Sequence, residues 1–154
     1  MSRNSFLVKF YNYTYNFIFK KINNIKIDKI EKEDLVVEKI ENLKHSKGLH
    51  TAWLLNLKRL YYLTKKKLNI SDYHFIDVGC GNGIPLIYAY KKLAFKSYSG
   101  FDLITKYVDI TKKNILGSIN NCEINVFSAD ASKFILEDKN YFIFMFNPFN
   151  KIIM

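Results

Sequence analysis

Disulfide and metal chemistry have little to work with in this 154-residue chain. Its two cysteines, Cys80 and Cys122, show neither metal-binding nor redox spacing, and a reduced, cytoplasmic setting suits them. Arginine is nearly absent, with only Arg3 and Arg59 against a large excess of lysine, so the fork that grips phosphates and base edges is scarce. Long apolar runs are missing too. Nothing approaches the roughly 18 uninterrupted apolar residues of a membrane span, so no transmembrane segment is expected. The opening "FLVKFYNYTYNFIFKK" is interrupted by Lys9, Asn12 and Asn16 and is followed by no small-residue cleavage site, which argues against an export signal. Without such a signal, the acceptor-like triplets at Asn12 and Asn69 read as chance. The sequence shows no internal repeat and no low-complexity linker.

What is present is a core. Hydrophobic residues make up 49% of the chain and aromatics 16%, enough for one folded domain. The formal charge is +10, and it is uneven: residues 1–72 carry 15 basic and 7 acidic side chains, residues 73–154 carry 9 and 7. That excess permits a nucleic-acid partner, but its almost wholly lysine character does not favour one.

Periodicity divides the chain. Phe6, Phe10, Tyr13, Phe17 and Phe19 recur near helical spacing and predict a helix within residues 1–25, packed on the body of the domain in preference to a membrane interface. Charged and aliphatic residues alternate at helical intervals from Ile27 to Asn42, and "HSKG" at 45–48 breaks the pattern. A helix over 49–68 follows, with Trp53, Leu54, Leu57, Leu60, Tyr61 and Leu63 as its apolar stripe. Strands and helices then alternate. "HFIDV" (74–78) is a strand and "GCGNG" a glycine loop. "IPLIYAYKKLAF" is a helix with Pro85 in its first turn. "SYSGFDL" is a second strand, and "TKYVDITKKNILG" a helix ended by Gly117. "EINVFSAD" is a third strand, a short helical piece runs through Ile135, and "YFIFMF" is a fourth strand, apolar enough to be buried on both faces. This alternation predicts an α/β fold, a Rossmann-like doubly wound parallel sheet with N-terminal helices. Residues 1–48 read as a basic helical extension and 49–154 as the α/β domain.

The glycine loop carries the chemistry. Gly79, Gly81 and Gly83 lie between strand and helix, where glycine permits positive φ and close approach to a ligand. The dinucleotide fingerprint would need glycine at 84, which is Ile84, and the loop has no Lys, Ser or Thr for a phosphate cradle. Instead, acids end the strands. Asp77 precedes the loop, placed to act on a cationic ligand group. Asp102 closes the second strand, in the position that binds ribose hydroxyls, and Asp130 closes the third, where a carboxylate beside a backbone N–H reads an adenine edge. No cluster with metal-ligand spacing appears.

The sequence resembles class I S-adenosylmethionine-dependent methyltransferases. The likeness rests on "HFIDVGCGNG" (74–83), "GFDL" (100–103), "SADA" (128–131) and "FNPF" (146–149). "HSKGLHT" before them narrows it to small bacterial methyltransferase-domain proteins. The resemblance implies S-adenosyl-L-methionine as cofactor and methyl transfer to an unidentified acceptor. It implies that Gly79, Gly81 and Gly83 pack against the methionine part, with Asp77 and Cys80 also among the cofactor-binding residues. Asp102 with Leu103 would hold the ribose, and Asp130 with Ala131 the adenine. Asn147, Pro148 and Phe149 would meet the acceptor, with Asn147 also near the cofactor. In amino methyltransferases a related turn has two prolines; this one has a single proline. His45 and His50 would lie over the pocket, a lid role that lone histidines rarely fill.

The class I fold has seven strands with the fourth in the middle, so four strands give the order 3-2-1-4 and leave "YFIFMF" as an open edge. A chain shortened after the fourth strand is the simplest expectation; completion by a partner chain or self-association at that edge are the others. Two further functions remain alternatives: a non-catalytic cofactor-binding remnant or partner subunit, and a nucleic-acid-binding module built on the basic N-terminal part.

Overall fold

A computed structural model describes residues 6–27, 52–120 and 123–146. The expected helical pattern over 27–42, His45, His50, Cys122 and the Asn147-Pro148-Phe149 turn fall outside these residues, Ile27 apart. Helix α1 (Phe6–Ile22) and helix α2 (Leu54–Lys65) precede the sheet. Strand β1 (His74–Val78) leads through the glycine loop into α3 (Ile84–Lys92), then β2 (Ser97–Asp102), α4 (Thr105–Ser118), β3 (Ile124–Ser128) and β4 (Tyr141–Met145). The four strands form one parallel sheet in the order β3-β2-β1-β4, as the family resemblance implies.

Strand alternation sorts the side chains. Phe75 of β1, Tyr98 of β2, Val126 of β3 and Phe142 and Phe144 of β4 face the helices and join the main core with Leu54, Leu57, Leu86, Ile87 and Tyr88. Ile76, Val78 and Phe101 face the other way and pack with Phe127, Ala129, Ala131 and Phe134. The β3–β4 connection therefore crosses the face opposite α3 and α4. That change of side makes the sheet doubly wound and puts the topological switch point between β1 and β4, beside the glycine loop.

Several local expectations are corrected. The segment after β3 makes only a turn at 131–133, held by Asp130, in place of a helical piece through Ile135. Gly117 lies inside the last turn of α4, with Ile119 as the cap, so it does not end that helix. Helix α2 starts at Leu54, and its stripe is narrower than expected: Leu54, Leu57 and Tyr61 are buried, whereas Leu60 and Leu63 face solvent. Strand β4 is not buried on both faces. Phe144 packs into the core, but Ile143 and Met145 point outward and are about half exposed.

Helix α1 departs most from its sequence pattern. It packs on the domain, but not with Phe6, Phe10, Tyr13 and Phe17, all of which are exposed. Its inward side is Asn12, Asn16 and Phe19, continued by Asn23 in the turn that follows. Hydrogen bonds explain the reversal. Helix α2 begins at Trp53 without a side-chain cap, and Asn16 supplies one from α1. Its Oδ1 accepts from Leu54 N at 3.2 Å, and its Nδ2 donates to Ala52 O at 2.8 Å. Asn23 Oδ1 accepts a hydrogen bond from Lys91 Nζ of α3, and the Asn23 backbone carbonyl accepts one from Ser118 Oγ of α4 at 2.6 Å. Phe19 stacks edge-on against Tyr88, completing the contact.

Candidate functional site

The carboxyl ends of β1 and β2 are laced together by the glycine loop. Gly79 N and Cys80 N both donate to Phe101 O, at 2.9 and 3.0 Å, and Gly83 N donates to Cys80 O at 2.8 Å. Gly79, Gly81 and Gly83 all have positive φ, which L side chains adopt only with strain. At Gly83 a Cβ would also lie 2.6 Å from Thr111 Cγ2. Thr111 and Asn114 of α4 hold the loop from behind. Thr111 Oγ1 donates to Gly81 O at 2.6 Å, and Asn114 Nδ2 donates to Asn82 O at 3.0 Å.

Two acids meet at this loop. Asp102 Oδ2 accepts from Gly81 N at 3.0 Å and Oδ1 from Ile104 N at 3.0 Å, so the second strand's acid shapes the first strand's loop. Asp77 is buried, and its Oδ2 has no hydrogen-bond partner. Burial first, and then the neighbouring Asp102 carboxylate, push the Asp77 carboxyl up to about 8. The same burial, with both acids nearby, raises the Cys80 thiol well above its ordinary value, so it stays protonated and is a poor nucleophile. Asn82 is equally buried, and neither its Nδ2 nor its Oδ1 has a partner.

This chemistry suits a cation with hydroxyls and not a phosphate. The loop N–H groups of residues 79, 80, 81 and 83 are already engaged, and two carboxyls stand where a phosphate would need positive charge. A sulfonium or ammonium would find in Asp77 a buried acid that its charge would ionise. The unpartnered atoms of Asp77 and Asn82 are those a polar ligand would satisfy, so the residues fit an adenosyl sulfonium cofactor.

The structure thus gathers Asp77, Gly79, Cys80, Gly81, Gly83 and Asp102 at one place, with half-buried Leu103 next to them in the chain. Asp130 lies two residues beyond the Asp102–Ser128 register pair, on the same rim, and Ala129 N donates to Asp102 O at 3.1 Å. Its Oδ1, however, accepts from Ser132 N and Ser132 Oγ at 2.9 and 2.7 Å, closing its own turn. Ala131 packs beneath, beside Phe101 and Phe134. Sequence reasoning missed Asn82, Thr111 and Asn114. The signal for the last two was a pair of polar residues three apart on the inward side of an amphipathic helix. The third histidine, His74, is held between Ser97 Oγ and Ser99 Oγ at the opposite end of β1. Among the described residues, no group of acids, histidines and cysteines could hold a metal ion.

No protein-family model matches the chain, and no curated protein matches it. Solved structures do. A Bacillus cereus O-methyltransferase in complex with S-adenosylhomocysteine matches at 16% identity over 87% of this chain and 63% of its own, with a TM-score of 0.47. The magnesium protoporphyrin IX methyltransferase of Synechocystis, also with bound S-adenosylhomocysteine, matches at 13% over 82% and 51%, TM-score 0.43. A Thermoplasma acidophilum protein matches at 27% over 53% and 39%, TM-score 0.41. The chain spans less than two thirds of the length of each. It is similar to methyltransferases in fold, and its strand order is the one that the motif resemblance implied.

Proposed function

We propose that this chain binds S-adenosyl-L-methionine at the Gly79–Gly83 loop and takes part in methyl transfer. The observation that carries the reading is the meeting of Asp77 and Asp102 at that loop, with Asp77 Oδ2 buried and unpartnered. When bound, the cofactor supplies an electrophilic methyl group on a sulfonium. Asp77 would balance the positive charge of its methionine end, Asp102 and Leu103 would hold the ribose, and Asp130 with Ala131 the adenine. Cys80 and the glycines provide a close wall without chemistry of their own. Asn147, Pro148 and Phe149 follow β4 in sequence, and on sequence grounds we assign them to the acceptor side. Methyl transfer is an in-line displacement, so positioning the acceptor is the main task left to the protein. The acceptor itself stays open.

Calorimetric titration with S-adenosylhomocysteine tests the reading. Saturable binding is expected, weakened about tenfold or more by Asp102→Ala, the size of a lost hydrogen bond to a charged group. No saturable binding, or an Asp102→Ala protein that binds as the parent does, would refute it.

A further inference from the structure

Helix α1 is turned inside out, and its outward face asks for a partner. Phe6, Leu7, Phe10, Phe17, Ile18 and Ile22 are 49–79% exposed. At 100° per residue the first five of these, Phe6 to Ile18, fall within one arc of about 120° on the side opposite Asn12 and Asn16, an arc they share with Thr14 and Lys21. Tyr13 borders the arc on one side and Tyr11 on the other, both exposed. Lys9 and Lys20 lie just beyond Tyr13, and Lys21 extends over the Phe17 ring, 5.7 Å from its centroid. No acidic residue occurs anywhere from Phe6 to Ile27. The inward face cannot rotate out to hide this surface, because Asn16 and Asn23 fasten it to α2, α3 and α4.

We propose that α1 docks on an anionic bilayer surface. It would lie in the plane of the headgroups with its phenylalanines toward the acyl chains and its tyrosines and lysines at headgroup level. Charge chooses this occupant. A hydrocarbon arc edged by tyrosine and lysine matches an interface that is apolar within and negative at its border. A second copy would set lysine against lysine with no acid to neutralise either. A nucleic acid would need cations across the face, and here a single lysine, Lys21, stands among five apolar residues. The helix does not span: no described helix is long and apolar enough to cross a membrane. This inference does not depend on the cofactor reading.

The full chain is floated with vesicles of phosphatidylcholine containing about 30 mol% phosphatidylserine, and with phosphatidylcholine alone. Flotation is expected with the first and only weakly with the second. Phe10→Ser with Phe17→Ser should lower the partition coefficient by about 100-fold, about tenfold for each ring withdrawn from the lipid. Lys9→Gln and Lys21→Gln should each lower it by about fivefold. Leu116→Ser and Ile135→Ser, exposed apolar sites elsewhere, should leave it unchanged. Circular-dichroism melts matching the parent's show that the α1 variants fold. As a second readout, Phe17→Trp in a Trp53→Phe background should show blue-shifted emission when anionic vesicles are added. The proposal is overturned if the chain does not float, if the phenylalanine pair floats like the parent, or if the two vesicle types bind equally. It is also overturned if self-association or RNA binding, lost in the phenylalanine pair, takes the place of flotation.

Discussion

Replacing Asp77 by asparagine should change how stability depends on pH. The carboxyl is fully buried, and its native value of about 8 lies far above the model-peptide value of 3.8. Between those two values the folded protein holds a proton that the unfolded chain has released, so stability falls as pH rises. The contribution is complete below the unfolded value and lost on passing through the folded one. The slope reaches about 1.4 kcal/mol per pH unit, so roughly pH 4.5 to 7.5 spans about 4 kcal/mol, a large share of a typical domain's 5–15. Asp77→Asn keeps the shape and removes the titration. Urea unfolding of both proteins at several pH values, with the difference in free energy plotted against pH, isolates this group from all others. The difference should grow in favour of the variant as pH rises. The unpaired amide that asparagine introduces adds an offset independent of pH, which leaves the slope untouched. A difference that stays flat from acid to neutral pH would refute the reasoning, because it would mean that Asp77 is ionised in the folded protein.

Three further outcomes follow from the same contacts. Gly83→Ala combines a positive φ with a Cβ 2.6 Å from Thr111 Cγ2, and should cost about 1–3 kcal/mol in urea unfolding as well as weaken cofactor binding. Thr111→Val removes the 2.6 Å bond to Gly81 O and leaves that carbonyl without the bond; a loss of about 1–3 kcal/mol is expected, with the change in amide exchange centred on residues 79–83. Asn16→Ala deletes both bonds to Ala52 and Leu54, and faster amide exchange at Leu54 and in α1 than in β1 should show the helix loosening while the sheet stays intact.

The sheet was legible because its signals are local. β1 and β2 announce themselves as short apolar runs, the glycines as a turn that other residues cannot make, and Asp77 and Asp102 as acids at strand ends. Parallel pairing then brings those ends to one rim without further instruction, so most of the candidate site could be read in advance. Asp130 was placed on the correct rim, but nothing in "SADAS" said whether its carboxylate would face a ligand or cap Ser132. That choice depends on the geometry of the turn. Thr111 and Asn114 escaped notice because their partners are backbone carbonyls 30 residues or more distant in sequence, and Asn82 because only the fold buries its side chain without a partner.

From its residues alone, this protein's strands, loop position and acid placement were determined, since each depends on neighbours in sequence, and the strand order followed from the family resemblance that those motifs carry. Which face of α1 turns inward was not. By hydrophobicity Phe6, Phe10 and Phe17 should be covered, yet the uncapped start of α2 and Lys91 at the end of α3 offered hydrogen bonds that asparagine side chains could meet and phenylalanines could not. The raised Asp77 carboxyl likewise exists only in the folded chain, where burial removes water and Asp102 stands beside it. In both cases tertiary structure decided the outcome, because the cost of an unmet polar group appears only once the surrounding chain has excluded water.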